Sequence, residues 1–352
     1  MPKEMPQLAY AYHFDAGLYA RFLRDYAEKL GVVRSEGRIT RVDRDRASGL
    51  ITGVQLHDGP RIPGDFFLDC SGFRALLIEE TLQTGYEDWT HWLPCDRALA
   101  VPCEKKNDFV PYTRSTAHRA GWQWRIPLQH RTGNGHVYCS TFVSDDEAAD
   151  TLLKHLDAPA LSSPRPLRFR TGRRKRFWNA NCVALGLAAG FMEPLESTSL
   201  HLVQAAVFRF LSLLPYSAEP DLTAQEEFNR LTTLEWEQIR DFIILHYVAN
   251  TREEPFWREC RDMSIPDTLA HRLELFRARG KVARHDGQLF SDASWVAVML
   301  GQGIHPQRWD PLADIMPLAE LEQHAEGLRL RLHQAIARMP SHTEFIERNC
   351  KA

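Results

Sequence analysis

Gly190-Phe-Met-Glu-Pro-Leu-Glu-Ser-Thr-Ser-Leu200 is a proline-containing turn that leads into a helix, and the interpretation of the whole chain depends on it. The apolar residues that follow have the spacing of one helix face, which predicts an amphipathic helix as far as Leu214. Pro215 then ends the helix, since proline cannot continue the helical hydrogen-bond ladder. The apolar positions of this predicted face are Leu200, Val203, Val207, Phe210, Leu211 and Leu214.

Three small hydroxyl residues, Ser197, Thr198 and Ser199, stand where the helix must begin, so any of them could be its N-cap. Exposed N–H groups at a helix start, together with the positive end of the helix dipole, form a binding site for an anion. Glu196 lies in the same turn, although neither capping nor anion binding requires it. From spacing alone, an ordinary capped helix is the favoured interpretation.

Residue identity, rather than spacing, relates this turn to a known family. The run GFMEPLESTSLHLVQ, residues 190–204, resembles a signature of the flavin-dependent tryptophan halogenases. Gly121-Trp-Gln-Trp-Arg-Ile-Pro127 resembles their WxWxIP motif. Residues 69–77, 85–95 and 301–304 are also similar to that family. The likeness extends over nearly the whole chain, and two signature motifs in the family's order make it specific.

The resemblance implies an α/β fold of the FAD-dependent hydroxylase type, with two or three layers and a β-meander, followed by a mainly helical C-terminal part. Residues 1–215 would form the remainder of the FAD-binding and halogenase core. Residues 216–352 would form a helical region that covers the substrate. No GxGxxG turn occurs in the sequence, so the N-terminal βαβ unit that holds the FAD pyrophosphate is missing from it.

Periodicity predicts the elements of the first part. Asp15 is the candidate N-cap of a helix that ends near Gly31, and alternating strands follow at 38–42 and 50–56. A short strand then runs into Asp69-Cys-Ser-Gly72, where the backbone would come close to a ligand at the strand's carboxyl end. Residues 98–144 are predicted to be rich in β-strands.

Within that β-rich segment, Trp122 and Trp124 are two residues apart and therefore share one face of a strand. After the central helix the sequence predicts further helices at about 224–248, 266–279 and 318–337. The prolines of 158–166 predict a loop, and Gly186 to Gly190 would let the backbone approach a cofactor closely.

Composition excludes several classes of protein. A formal net charge of −3 gives no reason to expect a nucleic-acid partner. A basic cluster between Arg168 and Arg176 is predicted to be a solvated loop. Neither a secretory signal nor a long apolar span is visible, which predicts a cytoplasmic protein without a membrane partner. The 7 cysteines form no CxxC pair and the 15 histidines no HExxH pattern, so reduced, mostly buried thiols and no metal site are expected.

The resemblance assigns the ligand-binding residues one by one. Backbone amides of Thr198 and Ser199 match the family's halide site, which suits a small anion held at a helix start. Leu187 and Leu200 align with positions whose backbone contacts the flavin. By analogy with FAD hydroxylases, Ile39 would lie near the adenine end of the cofactor.

The resemblance also implies the catalytic group. Glu196 matches the acid that stabilises the cationic arene intermediate and accepts its proton, and with Ser197 it would contact the substrate. Glu193, three residues earlier, is the rival carboxylate, and the family pattern favours Glu196. The WxWxIP strand would pass beside the flavin and keep the organic substrate away from it.

The implied ligands follow from the same likeness. Reduced FAD would be supplied by a separate flavin reductase, the halide would be chloride or bromide, and the substrate would be tryptophan or a related indole. The likeness leaves a homodimer open.

One expected residue is absent, because the family uses an essential lysine and no lysine here falls in a matching motif. The chain is therefore expected to be the carboxyl-terminal majority of a halogenase and to lack activity by itself. Two alternatives stay open: an FAD-dependent monooxygenase or reductase of the same fold, and a catalytically silent fragment or binding module.

Overall fold

The computed structural model of the protein describes residues 11–106, 110–216, 221–283 and 287–350. Parts of the predicted units 1–215 and 216–352 lie outside these ranges, and the division between them stays a prediction. The strands are β1 (Ile39–Arg44), β2 (Ile51–Leu56), β3 (Arg61–Pro63), β4 (Phe67–Asp69), β5 (Tyr86–Asp88), β6 (Arg97–Cys103), β7 (Arg114–His118), β8 (Gly121–Pro127), β9 (Thr132–Tyr138), β10 (Arg165–Arg168), β11 (Gly172–Arg174), β12 (Trp178–Asn179), β13 (Cys182–Ala184) and β14 (Gly190–Phe191). The helices are α1 (Ala16–Lys29), α2 (Asp145–Lys154), α3 (Ser199–Ser212), α4 (Leu222–Val248), α5 (Pro255–Asp262), α6 (Asp267–Arg279), α7 (Asp292–Gly301), α8 (Leu318–Arg338) and α9 (His342–Asn349).

The described strands form four sheets. β1, β2 and β3 make an antiparallel meander in chain order, as the alternating sequence predicts. The largest sheet has the order β10-β6-β9-β8-β7, and each neighbouring pair is antiparallel. The other two have the orders β14-β11-β5 and β12-β13-β4.

The pair β4 and β13 runs parallel and brings two turns together at its carboxyl ends. Asp69, the last residue of β4, is 1% exposed, and its carboxylate accepts hydrogen bonds from the backbone N–H groups of Ser71, Leu77 and Ile78. Asp69 thus fixes the Asp69-Cys-Ser-Gly72 turn beside residues 186–188. Gly72 has a φ of +74°, and beyond its chain neighbours no atom lies within 4 Å of the point where a Cβ would stand, so the turn leaves open space there.

The WxWxIP strand is β8, near the middle of the largest sheet. Trp122 and Trp124 share a face as predicted, with ring centroids 6.0 Å apart. Within the segment 98–144 that was predicted to be rich in strands, the last strand ends at Tyr138, because Phe142 and Val143 donate hydrogen bonds back to Cys139 in a turn. The predicted loop 158–166 ends in β10, which adds an edge strand to the sheet.

The buried face of α3 differs from the predicted one. Leu202, Ala206 and Phe210 are buried, whereas Leu200, Leu211 and Leu214 are about half exposed. The helix packs on α4 through a narrower stripe, with Val207 only partly buried. Leu200 is left free to face a cavity.

The prediction that the basic cluster is a solvated loop is wrong for its centre, whereas the outer residues Arg168, Arg170, Lys175 and Arg176 are exposed. Arg173 and Arg174 lie in β11 and are each 6% exposed. Arg173 contacts the carboxylates of Glu87 at 2.7 Å and Glu237 at 3.1 Å. Both guanidinium groups are buried because acidic partners from distant parts of the chain surround them.

Two further elements refine the sequence interpretation. Asp15 caps α1 as predicted, accepting hydrogen bonds from Gly17 and Leu18, but α1 contains no buried residue. α4 begins at Leu222, two residues earlier than expected, because Asp221 caps it. Residues 292–301 form α7, which the sequence did not predict, and Trp295 within it is buried.

Candidate functional site

The turn before α3 has an unusual backbone. Pro194–Glu196 forms one 3-10 turn, and Ser197 follows in the left-handed conformation, with φ of +56° and ψ of 35°. Thr198 precedes the first helical residue, but its side chain caps nothing, because its φ and ψ are helical and not extended. A hydroxyl residue thus occupies the predicted N-cap position, but its side chain makes no capping hydrogen bond.

The first turn of α3 presents unpaired backbone N–H groups. No described residue accepts a hydrogen bond from the N–H of Thr198 or Ser199. Thr198 is buried, whereas Ser199 is exposed and lines a cavity. N–H groups at the positive end of a helix suit a small anion, so this geometry is compatible with the predicted halide site.

Glu196 is half-buried, and its carboxylate is paired with a histidine. Oε1 of Glu196 lies 2.9 Å from Nε2 of His246, near the end of α4. Nδ1 of the same ring lies 2.8 Å from the carbonyl oxygen of Phe242, one helical turn earlier. The ring is thus held from both sides, by its own helix and by the predicted catalytic acid.

Glu193, the rival carboxylate, lies in a different environment. It is 0% exposed, and its Oε2 accepts hydrogen bonds from Nε1 of Trp122 at 2.7 Å and from the hydroxyl of Tyr247 at 2.5 Å. Burial raises the pKa of Glu193 to about 7, while the two hydrogen bonds and the nearby His246 act in the opposite direction. Glu193 therefore joins the two signature motifs and has no open path to a substrate.

A cavity of about 200 Å³, here called the apolar cavity, lies on one side of the turn. Leu187 and Leu200 line it together with Ser199, and the two leucines are 41% and 51% exposed. Gly186 lines it with a φ of +59°. Gly190 also lines it, and a Cβ there would lie 2.4 Å from the carbonyl oxygen of Gly172, so the absence of a side chain permits the close pairing with β11.

A second cavity, of about 260 Å³ and here called the aromatic cavity, lies on the other side. Leu195 and His246 belong to its wall, so the chain passes from this cavity to the apolar one between residues 195 and 199. Tyr247 and Trp257 are stacked in the wall, with ring centroids 5.6 Å apart. The lining residues are Ser115, Ala117, Trp122, Leu195, His246, Tyr247, Asn250, Thr251, Arg252, Trp257 and Gln302.

The structure brings most of the predicted site residues together. Glu196, Ser197 and Thr198 form the stretch between the two cavities and line neither of them, whereas Leu195 and Ser199 on either side of this stretch do. Ile39 lies in β1, in a separate sheet, and does not line the apolar cavity with Leu187 and Leu200. Its proposed place near the adenine stays a prediction.

Sequence reasoning missed His246 and Tyr247. Both lie in α4, where the sequence Phe242-Ile-Ile-Leu-His-Tyr247 has a single histidine in an otherwise apolar and aromatic run. That isolated histidine was the available signal. Its partner Glu196 is 50 residues away in the chain and could not be inferred from spacing.

Across the ranges of the chain that the structure describes, no group of three or more His, Cys, Asp or Glu side chains could hold a metal ion. Within the same ranges, no helix has both the length and the apolar character needed to span a bilayer.

Comparison with known proteins gives consistent matches. A family model described as tryptophan halogenase matches residues 1–318. The chain is 34% identical to tryptophan 7-halogenase KtzQ of Kutzneria sp. (strain 744), covering 97% of this chain and 68% of that protein. It is 35% identical to tryptophan 7-halogenase RebH of Lentzea aerocolonigenes, covering 96% of this chain and 68% of that protein.

Solved structures agree with these matches. Xcc4156, a flavin-dependent halogenase from Xanthomonas campestris, is 52% identical and superimposes with a TM-score of 0.94, over 96% of this chain and 68% of that one. The tryptophan 6-halogenase SttH from Streptomyces toxytricini is 30% identical with a TM-score of 0.89, over 95% of this chain and 67% of that one. The likeness confirms the predicted α/β fold class with its helical C-terminal part.

Proposed function

Because the chain belongs to the tryptophan halogenase family, whose members are flavin-dependent enzymes that use reduced FAD and a halide, we propose that its site halogenates tryptophan or a related indole. The observation that carries this proposal is the stretch 195–199. It places a carboxylate and two free amide N–H groups between an apolar and an aromatic cavity.

The residues of the apolar cavity fit the ring system of a flavin. Leu187 and Leu200 are large apolar side chains left half exposed at a cavity, and a flat apolar ring would cover them. When bound, reduced FAD with oxygen would supply the oxidising equivalents that turn chloride or bromide into an electrophile. A separate flavin reductase would supply the reduced cofactor, and the homodimer stays a prediction.

The chain's own residues would then act in sequence. Backbone N–H groups of Thr198 and Ser199 would hold the halide. The aromatic cavity would hold the indole against Trp122, Tyr247 and Trp257. As the carbon–halogen bond forms, the ring becomes cationic; Glu196 would stabilise that charge and accept the proton from the same carbon, which restores the aromatic ring.

A second candidate is a chain that binds these ligands without turnover. It is favoured by one observation, because no lysine lines either cavity among the residues that the structure describes. The family's lysine is thus unmatched in the structure as well as in the sequence.

The deciding experiment supplies the purified chain with FAD, a flavin reductase, oxygen, and chloride or bromide. Tryptophan and indole are offered separately, and products are analysed by mass spectrometry for the isotope pattern of the halogen. The chain by itself is expected to give no product, as its sequence predicts. In a version completed with a GxGxxG unit and the family's lysine, we expect a halogenated product and a loss of about 100-fold or more in Glu196→Gln, with FAD binding unchanged.

Wild-type turnover by Glu196→Gln would remove the proposed role of this carboxylate. Saturable binding of FAD and indole by the completed version without any product would support the silent binding chain. An oxygenated product without halogen would instead indicate a monooxygenase of the same fold.

A further inference from the structure

His246 has a hydrogen-bonding partner on each ring nitrogen. Nδ1 lies 2.8 Å from the carbonyl oxygen of Phe242, and Nε2 lies 2.9 Å from Oε1 of Glu196. A backbone carbonyl can only accept a hydrogen bond, so Nδ1 must carry a proton. The contact of Nδ1 with Phe242 therefore determines which kind of hydrogen bond Nε2 can make with Glu196.

The second contact requires another proton. A neutral imidazole with its proton on Nδ1 has a lone pair on Nε2, and an ionised carboxylate oxygen also offers only lone pairs. Two acceptors would repel each other at 2.9 Å. A proton must lie between Nε2 and Oε1, either on an imidazolium facing a carboxylate or on a carboxyl group facing an imidazole.

We propose that His246 is a positioning residue for Glu196 and holds Oε1 through this shared proton. No described residue donates a hydrogen bond to the other oxygen, Oε2. The arrangement keeps Oε2 free to take up the proton from the arene. This inference rests on the proposed catalytic role of Glu196.

The surroundings of His246 favour a fixed ring. The side chain is 17% exposed, and the ring of Phe242 packs against it edge to face, with centroids 5.2 Å apart. Glu193 is close enough for its pKa to be lowered by His246. Two carboxyl groups therefore lie near the ring, Glu196 on one side and the buried Glu193 on another, and Arg252 lines the same cavity as His246.

The chain contains a matched pair that lines neither cavity. Nε2 of His201 in α3 lies 2.9 Å from Oε1 of Glu235 in α4, the same distance as in the His246 pair. Glu235→Gln therefore removes a chemically similar contact while leaving the proposed site untouched.

The direct test measures the ring nitrogens of the whole chain by NMR after labelling histidine with ¹⁵N. The signal of His246 is assigned by its loss in His246→Gln, and circular dichroism checks that this variant folds. We expect Nδ1 of His246 to carry a proton in the wild type and the Nε2 signal to be that of a nitrogen in a hydrogen bond to Glu196. In Glu196→Gln the Nε2 signal should move, because the proton shared with Oε1 is lost, whereas Glu235→Gln should leave the His246 signal unchanged.

A His246 signal that does not respond to Glu196→Gln, or a neutral ring with its proton on Nε2, would overturn the proposal. In the completed version, His246→Leu should lower kcat about 100-fold by misplacing Glu196. His246→Gln should recover part of that loss, since its side chain keeps an N–H donor for Oε1. If the His246 signal responds to Glu196→Gln as expected but the completed version forms no halogenated product, the proposed function is contradicted and the contact between His246 and Glu196 is not.

Discussion

Glu193 and Glu196 are three residues apart and have different surroundings, which separates their roles. Glu196 is half-buried between two cavities, while Glu193 is fully buried under Trp122 and Tyr247. Burial also raises the pKa of the Tyr247 hydroxyl, so this group stays protonated and donates its hydrogen bond to Glu193. Glu193 is thus a structural group whose protonation state is coupled to stability.

That coupling predicts a pH dependence. The pKa of Glu193 rises from 4.5 to about 7 on folding, so the folded chain binds this proton more tightly than the unfolded chain. Its contribution to stability is complete below the unfolded pKa and is lost as the pH rises through the folded one. Between about pH 6 and about pH 8 we expect the free energy of unfolding to fall by about 1 kcal/mol from this group.

Glu193→Gln should remove that fall, because an amide does not titrate. The measurement is urea denaturation of both proteins at the two pH values. Glu80→Gln is the control, since Glu80 is an exposed partner of Arg74, and it should behave as the wild type. The same pH dependence in Glu193→Gln and wild type would contradict the assignment.

Individual site residues could be predicted from the sequence where a helix start or a family motif identifies them. Thr198 and Ser199 at a helix start, and Glu196 beside them, could be selected from the chain alone. The partners of the two carboxylates could not, because His246, Tyr247 and Trp122 reach them only through tertiary packing.

The element that departs most from expectation is β11. A cluster of basic residues usually lies in solvent, but Arg174 here donates from Nη1 to Glu79 at 2.6 Å and from Nε to the carbonyl oxygen of Ala188 at 3.0 Å. Ala188 belongs to the turn that carries Leu187. Arg174 therefore supports the wall of the apolar cavity from behind.

Arg174→Lys should destabilise the fold by about 1–3 kcal/mol, because one ammonium group cannot reproduce both contacts in a buried position. Arg170→Lys is the matched control. Arg170 is exposed, and its Nε lies 3.6 Å from Oδ2 of Asp88. Its replacement should therefore lower the free energy of unfolding by less than about 0.5 kcal/mol. The check is urea denaturation, and equal effects of the two changes would refute the role of Arg174.

Periodicity located most helices and strands but not their burial. The spacing of α4, α6 and α8 gave their limits closely. In α3 the exposed Leu200 was assigned to the buried face, because an apolar residue that faces a cavity has the same spacing as one that faces the core. The acidic partners of β11 were equally invisible, since Glu79, Glu87 and Glu237 are distant in sequence.

For the whole molecule, the distribution of thiols tests the fold without reference to any ligand. All 7 cysteines are free, and the expectation of mostly buried thiols is confirmed, since only Cys70 and Cys350 are exposed. The core thus encloses cysteines from β6, β13 and α5 alike.

A thiol reagent should therefore modify Cys70 and Cys350 in the native chain and the remaining cysteines only after denaturation. Although Cys70 is exposed as a residue, partial burial of its thiol, together with the nearby Asp69, raises the pKa of that thiol, so Cys70 should react slowly near neutral pH. Mass spectrometry counts the modified thiols over time, with Cys70→Ser as the control for the slow one. Modification of a third thiol before unfolding would contradict the packing described.

The hydrogen bond from Trp122 to Glu193 has a consequence for protein engineering. It links strand β8 to the peptide before α3 across 71 positions of the chain. A chimaera can take the segment 190–204 from one homologue and β8 from another. Its buried carboxyl group and the tryptophan that donates to it then come from different parents. Grafts that carry both segments from the same parent preserve that donor and acceptor as a unit, and we expect such paired grafts to fold where single grafts fail.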